Sequence, residues 1–219
     1  MQRSSSVAGV TRSGAKRDGE RPERLRIFAA LDLPGTAIDS IAAWQGQALA
    51  GQQRLRPIDP GNLHLTLAFL GDRKPAEVER ATVALTALDA SAPVSLRLLP
   101  DPVGLPPRRP RVIAFDVASD AAVALQHDLE ERLGEAGLIE AAERPARPFR
   151  PHLSVARVRG DPPRGRAARE VVAGLAPLGE RAGHTFDAVR MALYRSELQS
   201  QGARYSVLAD VELPHRSGG

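Results

Sequence analysis

Two segments of this 219-residue chain place a histidine two positions before a hydroxyl residue, with apolar residues between and after: His64-Leu65-Thr66-Leu67 and His152-Leu153-Ser154-Val155. Side chains alternate faces along a β-strand, so His64 and Thr66 share one face while Leu63, Leu65 and Leu67 share the other. His152 and Ser154 stand in the same relation to Leu153 and Val155. A polar pair backed by an apolar stripe is the pattern of a strand that rests on a core and lines a wet cleft. Two such strands brought together supply two imidazoles and two hydroxyls to one site. Near neutral pH one imidazole can give a proton while the other takes one. Hydroxyls can donate to non-bridging phosphate oxygens. The set suits acid–base chemistry at a phosphate.

The elements that must hold these residues follow from hydropathy and turn signals. Strands are expected at 24–31, 63–70, 94–99, 111–117, across His152, at 186–194 and at 205–213. Helices are expected at 35–50, 75–88, 120–137 and, shorter, 165–175, each with apolar residues at helical spacing. Pro75 fits the first turn of its helix. Residues 57–61, 100–110 and 160–164 read as loops, the second dense in Pro and Arg. The order strand-helix-strand-helix-strand occurs twice, so each half carries one histidine strand. The expected fold is α+β: two lobes related by a pseudo-two-fold duplication, mainly antiparallel sheets forming a central cleft, and helices packed outside.

Composition narrows the classes. A length of 219 residues allows one sizeable domain, expected over 24–213, with a disordered basic tail at 1–23 and a flexible tail at 214–219. There is no cysteine, which removes disulfides and thiolate metal sites. The formal charge is +4, and Lys16 and Lys74 are the only lysines, so arginine carries the positive balance. That balance fits a polyanionic partner. No stretch has the roughly 20 apolar residues of a membrane span, and the first 23 residues lack the apolar core of a secretory signal. The expectation is a cytoplasmic monomer with no membrane contact. Gly-x-Ser-x-Gly, Gly-Lys phosphate-loop and His-Glu-x-x-His motifs are all missing.

The paired motifs and their flanks resemble the 2H phosphoesterases, and within them the RNA 2′,3′-cyclic phosphodiesterases, also called LigT-like or 2′-5′ RNA ligases. The resemblance runs over about residues 24–213. It includes Arg26-Ile27-Phe28-Ala29-Ala30-Leu31-Asp32-Leu33-Pro34, Asn62 to Gly71, Arg147-Pro148-Phe149-Arg150-Pro151-His152 and Arg204-Tyr205. Serine at position 154 stands where threonine is commoner in the family. The resemblance implies an enzyme that opens 2′,3′-cyclic phosphates at RNA ends, or in small cyclic nucleotides, to 2′-phosphates. It assigns His64 as the proton donor to the leaving 3′ oxygen and His152 as the base that activates water. Thr66 and Ser154 would donate to the phosphate. No metal or cofactor is called for, because protons and hydroxyls cover the roles. The same residues would serve 2′-5′ ligation in reverse, and a non-catalytic RNA-end-binding protein is the alternative of a different class.

Five residues after each histidine stand Phe69 and Arg157. The family uses these neighbourhoods at its nucleotide site, which would make Phe69 a base platform and Arg157 a phosphate contact. Strict alternation points both away from the histidines, so they reach the cleft only where a strand bulges or ends. Arg108, Arg109, Arg111, Arg150 and Arg204-Tyr205 are candidates for a positive rim on RNA. Of the other histidines, His127 reads as a surface residue, His184 lacks a hydroxyl two positions on, and His215 lies in the tail.

Overall fold

In the computed structural model residues 23–139, 148–179, 185–199 and 202–215 are described; residues 1–22 of the N-terminal tail, His184 and residues 216–219 lie outside them. Among the described residues four helices form where the spacing predicts. Helix α1 (Gly35–Ala48) starts after Pro34 and buries Ala37, Ile41, Trp44 and Gln45, one stripe at i, i+4, i+7 and i+8. Helix α2 (Pro75–Thr86) opens with proline at its first turn, and the Lys74 N–H donates to the Glu77 carboxylate at 2.8 Å. Helix α3 (Asp120–Glu135) is capped by Ser119, whose hydroxyl oxygen accepts from the Ala122 N–H at 3.0 Å. Helix α4 (Arg166–Ala173) buries Ala168.

Nine strands among the described residues make one antiparallel sheet. They are β1 (Leu25–Asp32), β2 (Leu55–Pro57), β3 (His64–Arg73), β4 (Ser95–Leu105), β5 (Val112–Ala118), β6 (His152–Val158), β7 (Thr185–Asp187), β8 (Arg190–Gln199) and β9 (Gly202–Glu212). Their spatial order is β7-β4-β5-β6-β3-β1-β8-β9, with β2 also on β6. The histidine strands β3 and β6 meet in the middle, paired at Leu65 and Leu153, the residues that follow the two histidines. A half-turn about this pair carries β3 onto β6, β1 onto β5, β8 onto β4 and β9 onto β7. The duplication is thus real in topology, and it is interleaved. The last strand of the first half, β4, leaves its own lobe to pair with β5, and β8 and β9 of the second half cross over, β8 pairing with β1.

One apolar core lies on the helix side of the sheet, joining Ile27, Leu31, Leu65, Ile113, Phe115 and Leu153 with the helices. Phe28, Ala30, Ala114 and Ala192 are equally buried yet lie outside that core. They belong to the opposite face, which carries the histidines.

Three expectations need correction. Strand β4 runs to Leu105, through most of the expected 100–110 loop. Its prolines are tolerated because β7 flanks it only at Ser95–Arg97, leaving an open side where a missing N–H costs no ladder bond. Its register on β5 also shifts between Leu98 and Pro102. The strand expected at 186–194 is broken into β7 and β8. Here consecutive amides cross between lobes: the Ala188 N–H donates to Val94 O at 2.9 Å and the Val189 N–H to Asp32 O at 3.0 Å. Finally, the 57–61 loop is flanked by β2 and contains a 3-10 turn at Pro60–Asn62.

Candidate active site

The Leu65–Leu153 pairing fixes the geometry of the two motifs. In antiparallel register it sets His64 opposite Ser154 and Thr66 opposite His152. The four side chains form a square with the imidazoles on one diagonal and the hydroxyls on the other. The Cα atoms of diagonal neighbours in such a pair lie roughly 7–8 Å apart, so both imidazoles rise from neighbouring points of one face. Each Nδ1 faces the carbonyl two residues upstream: His64 to Asn62 O at 2.8 Å and His152 to Arg150 O at 2.9 Å. A carbonyl only accepts, so each Nδ1 carries a proton and each Nε2 is left for the cleft. His64 Nε2 lies 3.0 Å from Thr66 Oγ1.

Two bulges then bring Phe69 and Arg157 to the same face. On β3, Ala29 pairs with Ala68 and Ala30 with Thr66, so Leu67 is an extra residue. On β6, Ile113 pairs with Ala156 and Ala114 with Ser154, so Val155 is extra. The burial pattern records the phase change: Leu67 and Ala68 are both buried, as are Val155 and Ala156. Past each bulge the parity inverts. Phe69 emerges 73% exposed, its ring centroid 6.1 Å from that of Phe28. Arg157 also emerges exposed, close enough to His64 for its charge to disfavour the imidazolium. Sequence alternation alone would turn both away; the matching bulges, related by the two-fold, reverse that.

The two lobes surround the histidines differently. Beside His64 lies an aromatic group. The Phe28 ring centroid is 4.9 Å from that of His64, 5.3 Å from Tyr194 and 4.9 Å from Tyr205, and Tyr205 is 5.4 Å from His64. Next to it, Asp32 is the register partner of both His64 and Arg190. Its carboxylate accepts from Tyr194 Oη at 2.6 Å and from Arg190 Nε at 2.7 Å. Burial and the Asp32 charge push the Tyr194 hydroxyl well above its ordinary pKa, so it remains a donor. Burial also pulls the His64 pKa below its usual value, with Arg157 and His152 adding to the effect. The Asn62 carbonyl and Asp32 oppose it. His64 is therefore neutral in the free protein near pH 7.

Across the two-fold, Asp116 is the register partner of His152 and is gripped by Arg150 through two bonds of 2.8 and 2.6 Å. Arg150, expected on an RNA rim, is exposed and held by this pair. Arg108 and Arg111 are exposed in the loop after β4, and Arg109 has its Nε enclosed without a hydrogen-bond partner. Arg204 is exposed, whereas Tyr205 turns into the cleft against His64. His127 is a surface residue near Asp128 and Glu131, as expected. His215 lines the cleft beside His64, closer to the site than a tail position suggested.

Asp32, Arg190, Tyr194 and Asn62 were not singled out from sequence. Asp32 and Phe28 sit on β1 at even spacing, a signal that becomes readable only once the pairing with β3 is known. Asn62 ties the site together, since its side chain donates to Ala203 O at 3.0 Å while its carbonyl accepts from the His64 Nδ1–H.

In sequence and fold the chain is similar to known proteins. The family described as the 2′-5′ RNA ligase superfamily matches residues 34–198. An RNA 2′,3′-cyclic phosphodiesterase of Methanothermobacter thermautotrophicus is 29% identical over 188 residues, 84% of this chain and 96% of that protein. One from Escherichia coli is 31% identical over 137 residues, 62% of this chain and 73% of that protein. The crystal structure of TT0787 of Thermus thermophilus superposes with a TM-score of 0.69 at 27% identity, covering 86% of this chain and 98% of the other. With the match spanning well over half of its length, the chain belongs to the 2′-5′ RNA ligase superfamily.

Proposed function

We propose that this chain hydrolyses 2′,3′-cyclic phosphates at RNA ends, or in small cyclic nucleotides, to 2′-phosphomonoesters, using His64 and His152 without a metal. One observation carries the reading: two His-x-hydroxyl pairs joined across Leu65 and Leu153 into a four-residue array on one face. The relatives named as RNA 2′,3′-cyclic phosphodiesterases support the substrate class.

Ring opening requires water to lose a proton on one side of phosphorus and the departing 3′ oxygen to gain one on the other. In the family's assignment His152 Nε2 takes the proton from water and His64 Nε2 supplies one to the 3′ oxygen. Both rings are held for this by their Nδ1–H bonds to Asn62 O and Arg150 O. His64 must first be protonated, and its burial disfavours that charge. The anionic cyclic phosphate compensates when it enters between the rings. Thr66 and Ser154 donate to the non-bridging oxygens, where charge builds in the transition state. Arg157 adds positive charge on the same face, and Phe69 offers an exposed ring to a base.

The superfamily's name favours one second reading, 2′-5′ joining of a cyclic phosphate end to a 5′-hydroxyl, which uses the same residues in reverse. Incubating the protein with chelator and a nucleoside 2′,3′-cyclic phosphate, with and without a 5′-hydroxyl RNA, tests both. The expected product is the 2′-phosphate in either case. A 3′-phosphate product would overturn the assigned leaving group, and a joined RNA product would make ligation the net activity.

A further inference from the structure

Among the described residues two polar side chains are buried, Gln45 and Gln126. Gln45 lies on the apolar stripe of α1 and is 6% exposed. Its Nε2 donates to two carbonyls at once, Ile58 O at 2.9 Å and Val155 O at 2.7 Å. Val155 is the extra residue of the β6 bulge. Its carbonyl sits where one partner strand gives way to another: β3 pairs at Leu153, and β2 takes over at Ala156. The Ile58 N–H also reaches Val155 O, at 3.0 Å. Gln45 therefore ties a helix, the loop before the His64 strand and the apex of the bulge into one junction. Two residues beyond that apex, Arg157 leaves the strand on the histidine face, and Gln45 and Arg157 line one cavity that shares Asn62 and Tyr205 with the His64 cleft.

We propose that Gln45 is a positioning residue for Arg157: its amide holds the Val155 bulge, and the bulge aims Arg157 at the phosphate. The proposal rests on the functional reading above. If Gln45 merely filled space, an apolar side chain of the same length would serve as well, since a buried amide gains its place only through the bonds it makes. One of its bonds goes to the β6 bulge itself, and the other to Ile58, whose own N–H holds the same Val155 carbonyl.

The test is a double-mutant cycle on hydrolysis of a nucleoside 2′,3′-cyclic phosphate, with wild type, Gln45→Met, Arg157→Ala and the double variant. Gln45→Met matches the length of the side chain and removes the donor. We expect it to stay folded by circular dichroism and to lose about ten-fold in kcat/KM, mostly through KM. In the Arg157→Ala background the same change should cost less than about two-fold. Leu85→Val in α2, a core change of purely structural effect, should multiply independently with Arg157→Ala. If Gln45→Met fails to fold, Gln45→Asn, which keeps a shortened amide, enters the same cycle. Losses that multiply, a Gln45 variant with wild-type kcat/KM, or an Arg157→Ala variant with wild-type kcat/KM would each overturn the proposal. No turnover by the wild type would instead refute the functional reading, and the cycle would then be run on the dissociation constant for the same nucleotide.

Discussion

Replacing Asp32 with asparagine removes a negative charge beside His64 and leaves the Arg190 guanidinium without its carboxylate. Asp32 and His64 are direct partners across β1 and β3, which places carboxylate and imidazole roughly 6 Å apart. At an effective dielectric of about 40–80, appropriate to a cleft open to water, the lost attraction is ~0.7–1.4 kcal/mol. That is a roughly three- to ten-fold drop in the ratio of protonated to neutral His64. Arg190, left with only its longer carboxylate contact, to Asp210 at 3.9 Å, acts in the same direction. Catalysis needs protonated His64, so the alkaline limb of the kcat/KM profile depends on His64. Asp32→Asn should move the alkaline limb to lower pH and leave the acidic limb in place. It should also cost about 1–3 kcal/mol of stability in urea titrations, because Tyr194 and Arg190 both lose a charged acceptor. The assay is steady-state hydrolysis of a nucleoside 2′,3′-cyclic phosphate from pH 5 to 9. An alkaline limb that stays put or rises refutes the electrostatic account, and movement of the acidic limb alone makes His64 the base.

Three further outcomes are expected. The His64 pKa is lower in the folded chain than its ordinary 6.5, so the stability tied to its neutral form is complete above about pH 6.5 and is lost as pH falls through the folded value. Between pH 7.5 and pH 5, His64→Gln should therefore lose less stability than wild type, read as urea midpoints; a larger loss contradicts the assignment. Phe69→Ala removes a ring that is 73% exposed, so stability should change by less than about 0.5 kcal/mol. KM for a nucleoside cyclic phosphate should rise about five-fold or more if the ring carries a base, and an unchanged KM removes it from the site. Thr66→Ala and Ser154→Ala each remove a phosphate donor and should lower kcat by about 10²-fold, with wild-type kcat counting against that role.

The sequence made much of this molecule legible. His64, Thr66, His152 and Ser154 could be placed on one face by parity, because nothing interrupts alternation within either tetrapeptide. The four helices followed from apolar spacing and, for α2, from Pro75 at its start. What escaped was set by strand pairing. The bulges at Leu67 and Val155 have no local signature, since Leu-Ala and Val-Ala suit a regular strand equally well, yet they decide that Phe69 and Arg157 face the histidines. Asp32 and Tyr194 lie 162 positions apart and meet only because β8 crosses to the first lobe. Gln45 was not singled out from sequence; its role appears only when Val155 is seen to project an extra carbonyl at it.

The central claim is that His64 and His152 act together on one phosphate, and the most direct measurement is the turnover of a nucleoside 2′,3′-cyclic phosphate by His64→Ala, His152→Ala and the double variant. Each single variant should stay folded and lose about 10²–10⁴-fold in kcat. The double variant should be scarcely slower than either single, because two groups that work as a unit are not additive. A single variant that keeps near-wild-type turnover, or single losses that simply multiply, would contradict the paired site.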